Sequence, residues 1–146
     1  MTVTSYEQKP ADIGFTSKCA RQLASFDATL DQLDEAGRAG FADRIADAYL
    51  ASEACRLHVL KSLSLRARGD APGPESSVDK LLMIRAEQQL GAMDLETNGA
   101  PAILNDSSND LLFDYLWSRS ASIYGGTEQI QRTIVAERIL KMPRRR

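Results

Sequence analysis

Apolar residues recur at intervals of three and four along most of this chain, the spacing of one helical face. Phe15, Cys19, Leu23, Phe26, Leu30 and Leu33 form the first stripe, leaving Lys18, Arg21, Asp27 and Asp31 for water. Gly37 and Gly40 bracket a break after it. A second helix starts at Phe41, Ile45 and Tyr49 and continues through Cys55, Leu57, Val59, Leu60 and Leu63. Its apolar residues spread around much of the circumference, which predicts neighbours on two sides. Gly69, Asp70, Pro72, Gly73 and Pro74 predict a loop over residues 66–75. Ser76-Ser77-Val78-Asp79 has the form of a capping box, in which a serine oxygen accepts a free backbone N–H and the acid suits the positive helix end. Leu82, Ala86, Leu90 and Met93 mark the third helix; Asn98-Gly99 predicts its stop and Pro101 its failure to continue.

A polar stretch over residues 105–110 leads into a short helix carrying Leu112, Phe113, Leu116 and Trp117. Gly125-Gly126 interrupts the chain, and Thr127 can cap the helix behind it. Ile130, Ile134 and Ile139 define that last helix, closed by Pro143. No segment alternates with period two. The pattern therefore predicts an all-α fold, an antiparallel bundle of three long helices plus two shorter ones.

With 146 residues, 43% of them hydrophobic, the chain suits a single domain over residues 1–146 with a buried core. Its 18 basic and 20 acidic residues leave a net charge of -2, which offers no general attraction to nucleic acid or to an anionic membrane. Arg144, Arg145 and Arg146 read as a solvated tail. No apolar leader follows Met1 and no stretch is long enough to span a bilayer, so a soluble, cytoplasmic protein is expected. Cys19 and Cys55 have no metal-ligand spacing and read as reduced core residues. The single histidine, His58, has Cys55 three residues before it, so the Glu-x-x-His pair of a di-iron bundle is missing. No metal site is predicted, and His58 reads as a partly exposed structural residue.

The candidate chemistry sits at residues 123–132. Two glycines permit positive φ and let a ligand approach without a Cβ in the way. The helix behind them opens with free N–H groups suited to a phosphate, a carbonyl or the edge of a flavin. Thr127 and Gln129 add side-chain hydrogen bonds there. The same residues also make an ordinary interhelical turn with a threonine N-cap, and spacing does not separate the two readings.

The run IYGGTEQIQRTIVAERIL closely resembles the last-helix signature of acyl-CoA dehydrogenases. Looser likenesses follow the family's order at SYEQKPADIGF (5–15), RIADAYLASEACRL (44–57) and SVDKLL (77–82). The resemblance implies the all-α C-terminal bundle of that family, a group of FAD-dependent oxidoreductases of fatty acid metabolism. In these enzymes a glutamate takes the α-proton of an acyl-CoA thioester while the β-hydride passes to FAD. Many members carry that base just before the Gly-Thr pair, where this chain has Gly125. A subset places it near the first bundle helix, and Glu7 matches that position, although an exposed terminal acid would look the same. The arginine usual after it is Gln8. Gly126, Thr127 and Gln129 are carried over as FAD-contacting residues. Residues 95–100 hold only one glycine where the family often has a glycine-rich phosphate contact, and residues 35–43 hold no glutamine where the family usually has an arginine and a glutamine. The resemblance also implies that the family's N-terminal helical and middle β-domains are absent. An oligomer formed through the bundle is expected, inactive without those domains. The alternative is a non-catalytic helical oligomerisation or assembly module, a truncated paralogue or partner subunit.

Overall fold

In the computed structural model, which describes residues 12–71, 73–104 and 110–143, the chain is helical almost throughout. Three long helices carry the fold: α1 (Asp12–Gln32), α3 (Ala42–Ala67) and α4 (Glu75–Asn98). Between and after them lie α2 (Glu35–Gly40), α5 (Ala100–Leu104), α6 (Asp110–Ser120) and α7 (Glu128–Ile134), the last widening into a π turn at Val135–Ile139. Among the described residues no strand occurs, and no helix is long and apolar enough to cross a membrane.

Cross-helix pairs give the directions. Cys19 meets Cys55 while Phe26 meets Tyr49, so α1 and α3 run antiparallel. His58 meets Asp79 while Arg44 meets Glu96, so α3 and α4 run antiparallel too. α4 is the hub: α1, α3, α6 and α7 all pack on it. The core has two parts. Cys19, Ala51, Cys55, Val59, Met83 and Ala86 form one, flanked by Phe15, Leu63 and Leu82. Phe26, Ala48, Leu90 and Met93 form the other, flanked by Leu30 and Ile45. The buried stripe of α3 is Ala48, Ala51, Ser52, Cys55, Val59 and Ser62, small side chains that let α1 and α4 approach closely.

Several local expectations change. The first helix stops at Gln32, before Leu33; Asp34 caps α2 by accepting from Gly37 N at 2.7 Å, so the two glycines lie within a short helix and do not flank a break. Lys18 is not left to water but bonds Glu87 at 2.6 Å. The capping box does not form. Helix α4 begins at Glu75 behind Pro74, Ser76 Oγ donates to Gly73 O, and Asp79 turns inward to accept from Ser62 and pair with His58 at 2.6 Å. That pairing accounts for the single histidine.

Gly99, at φ 61°, ends α4 as predicted, yet Pro101 does not end helical structure. It stands in the first turn of α5, where a missing N–H costs nothing. The second helix does have neighbours on two sides, α1 and α4, but the apolar residues Leu57, Leu60 and Leu65 lie on its remaining, exposed face. The last helix is likewise shallow, with Ile130 and Ile139 exposed.

Candidate functional site

After α6 the chain descends through Ala121 and Ser122 into a tight turn. Tyr124 N and Ile123 N both donate to Ser120 O, and Glu128 N reaches back to Ser122 O at 2.9 Å. Gly125 (φ 63°) and Gly126 (φ 92°) occupy the left-handed region, where a side chain is strained. The two glycines serve different ends. A Cβ on Gly126 would come within 2.6 Å of Gln131 Nε2, the buried amide that donates to Gly125 O at 3.2 Å. Gly126 is therefore fixed by the turn's own packing. A Cβ on Gly125 would meet only Lys80 Nζ, at 3.8 Å, so the open approach lies there. Thr127 is extended (φ -60°, ψ 154°) and caps α7, accepting from Ile130 N at 3.4 Å. Its predicted capping role is met. Gln129 is exposed on the first turn of α7, and Glu128 pairs with Arg132 along the same helix.

Tyr124, just before the glycines, is held by two cations. Lys80 Nζ lies 4.0 Å above the ring centroid, and Lys18 Nζ donates to the phenol oxygen at 2.9 Å while bonding Glu87. Burial pulls the Lys18 pKa down, but the hydrogen bonds to Glu87 and Tyr124 outweigh it and the net direction is upward. Lys80 has no such carboxylate bond among the described residues; desolvation, then repulsion from Lys18, pushes its pKa down. On the outer side Trp117 tilts against Tyr124 at 6.5 Å and stacks on Phe113 at 6.0 Å, making an exposed aromatic row.

Behind this row a cleft of about 260 Å³ opens between α1, α4 and α6, lined by Lys18, Gln22, Glu87, Asp94, Trp117 and Ser118 among others. Asp94 is buried there. Desolvation raises its pKa, opposed by the hydrogen bonds it accepts from Thr29 at 2.5 Å and Ser25 at 3.3 Å.

The structure thus joins Gly126, Thr127 and the start of α7 into one half-buried edge, with exposed Gln129 in the first turn of that helix. Glu7 lies outside the described residues. Lys80, Lys18 and Gln131 escaped sequence reasoning. Lys80 did carry a signal: it stands three residues before Met83 on the buried stripe of α4, where a charge is out of place. Among the described residues no group of three or more metal-ligating side chains assembles.

An all-α bundle with α4 at its hub and a glycine-threonine turn before its last helix defines the structural class. Residues 13–140 match the family described as "Acyl-CoA dehydrogenase, C-terminal domain". The chain belongs to that family. It is similar to acyl-CoA dehydrogenase FadE34 of Mycobacterium tuberculosis, 35% identical over 102 residues, covering 70% of this chain and 14% of that protein. It is also similar to acyl-CoA dehydrogenase IpdE1 of Mycolicibacterium smegmatis, 29% identical over 152 residues, covering 99% of this chain and 36% of the relative. IpdE1 of Mycobacterium tuberculosis matches at 29% over 149 residues, covering 99% and 37%. The chain therefore spans between 14% and 37% of the length of these relatives.

Proposed function

We propose that this chain is the C-terminal helical domain of an FAD-dependent acyl-CoA dehydrogenase and supplies the flavin-side turn of its active site. The observation that carries the reading is the family match over residues 13–140. It runs through a turn whose Gly125 face is open to an approaching planar group. Bound there, FAD would take the β-hydride of an acyl-CoA thioester. Thr127 Oγ already accepts the Ile130 N–H, so its own hydrogen is the one available to a ligand acceptor. Gly126 holds the turn against Gln131, and exposed Gln129 extends the polar edge. Lys80 and Lys18 hold Tyr124 from beneath, which fixes the backbone leading into Gly125. Gly125 cannot accept a proton, so the α-proton is assigned to Glu7.

The test supplies the N-terminal and middle domains that complete family members carry. The reconstituted protein should retain FAD and lose its visible absorbance when given acyl-CoA. A correctly folded complex that never takes up FAD overturns the reading. Glu7→Gln should keep FAD bound while abolishing bleaching; unchanged bleaching removes Glu7 from the mechanism.

A second reading, that the chain acts as an assembly module joining a homo- or hetero-oligomer, is favoured by one specific feature. Phe113, Leu116, Trp117 and Ile123 are all more than half exposed, an apolar surface suited to coverage by protein. The two readings are compatible.

A further inference from the structure

Cys19 on α1 and Cys55 on α3 face each other in the first core cluster, Sγ to Sγ 3.7 Å, both free thiols and only 4% and 0% exposed. Neither touches the glycine turn, and the proposed flavin chemistry uses neither. We propose that Cys19 and Cys55 form a hydroperoxide-reactive dithiol, in which Cys19 is oxidised first and Cys55 then closes an intramolecular disulfide tying α1 to α3.

Three observations support the assignment. Distance is the first: a disulfide needs its sulfurs about 2.05 Å apart, so the pair must close by roughly 1.7 Å, within reach of side-chain rotation and a slight helix shift. Second, the cluster that holds the pair includes the small Ala51 and Ala86 and the flexible Met83, with Val59 beside them and Phe15 packed against it, so part of the sulfurs' surroundings can yield as they close. Third, the two thiols are unequal. The hydrogen bond between them lowers the Cys19 pKa and, with burial, raises that of Cys55. Cys19, 4% exposed against 0% for Cys55, is also the sulfur that an entering oxidant meets first, and Cys55 is the partner that responds to it.

The chemistry balances. Cys19 thiolate attacks one oxygen of hydrogen peroxide, the O–O bond breaks, and hydroxide leaves to be protonated to water, giving a sulfenic acid. Cys55 gives up its proton and attacks the Cys19 sulfur; the S–O bond breaks and the oxygen departs as a second water. Two thiols are oxidised to one disulfide and one peroxide is reduced to two waters. Burial selects the oxidant: hydrogen peroxide is small enough to enter through brief openings of α1, whereas glutathione disulfide is not. The bond would join positions 36 residues apart and shorten the free loop of the unfolded chain. Lys18, the residue before Cys19, donates to Tyr124, so the cross-link would also hold α1 beneath the glycine turn.

The experiment uses the reduced, folded chain, exposed to hydrogen peroxide and then alkylated and denatured without reductant. The expected product is a monomer two hydrogens lighter, with no alkylated thiol and a proteolytic peptide joining Cys19 to Cys55. Its thermal midpoint should be higher, and dithiothreitol should reverse the change. Glutathione disulfide should give the same product far more slowly. In Cys55→Ala the reaction should stop at a Cys19 sulfenic acid, trapped by dimedone. Because Cys55 is fully buried and its variant can lose stability, the wild-type peptide decides the matter. Two thiols that stay alkylatable in the folded chain overturn the proposal. So do intermolecular dimers, or sulfinic acid without the joined peptide. Flavin retention plays no part in these readouts, so their failure is separable from failure of the dehydrogenase reading.

Discussion

Asp94 is a carboxyl set where α1 crosses α4, 6% exposed, with hydroxyl donors from Thr29 and Ser25 as its partners and, among the described residues, no cation bonded to it. Burial lifts its pKa above the ordinary 3.8. The native state thus holds the Asp94 proton more tightly than the unfolded chain does. Its contribution to stability is fully present below the ordinary carboxylate range and is lost as pH rises through the raised value. Asn mimics the protonated form and keeps both hydroxyl partners. Asp94→Asn should therefore stabilise the chain at neutral pH by on the order of 1 kcal/mol. Urea unfolding at neutral pH and again below pH 4 checks this, and the advantage should vanish in acid. An equal difference at both pH values would show that charge is not the cause. Residues such as this were illegible in the sequence for a simple reason. Thr29 lies 65 positions from Asp94, and linear spacing holds no record of a partner that distant. Gln131 was hidden differently: its buried amide explains Gly126, but an amide in an EQIQR run looks like surface.

At the scale of elements, helix existence was legible and helix faces were only partly so. The three long stripes became α1, α3 and α4, because apolar spacing of three and four is a property of the helix itself. Termini depended on side chains whose choice of partner is tertiary. Asp79 could cap its helix or pair with His58, and burial beside α3 decided for the latter. Size misled as well: on α3 Leu50, Leu57, Leu60 and Leu65 look outward while alanines, serines, a valine and a cysteine make the interface. That inversion gives a paired expectation. Met83→Ala, at a side chain 1% exposed between α1 and α3, should cost about 2–5 kcal/mol by opening a cavity. Leu57→Ala, on the open side of α3, should stay within about 0.5 kcal/mol. Chemical denaturation of both variants checks the ordering. Comparable losses would mean that the open side of α3 is packed in solution.

For the whole molecule, the outer surface raises a question that its own packing leaves unanswered. Helix α6 lies across α4, yet it presents Phe113, Leu116 and Trp117 outward, and the turn beyond adds Ile123. Phe113, Trp117 and Tyr124 form a continuous aromatic row on the flank of the glycine turn. Leaving such side chains in water forfeits about 25 cal/mol for each Å² that a neighbour could cover. The relatives are several times longer than this chain, so the coverage can come from elsewhere in a longer protein or from another copy. In the isolated chain only a second copy is available. Sedimentation velocity should then show association that strengthens with concentration. Phe113→Ser combined with Trp117→Ser should shift the chain toward monomer with little change in thermal midpoint, since both rings are already largely in water. A wild-type chain that stays monomeric at high concentration would sink the expectation, and so would a double variant that associates equally well. If the double variant instead unfolds, the row supports the bundle itself and the free face must be sought on α3. Tyr124 couples this outcome to the site, because Lys18 and Lys80 grip the ring from the bundle side while Trp117 meets it from outside. A partner seated on the row would press on the residue that leads into Gly125, so coverage of the face and the shape of the turn should change together.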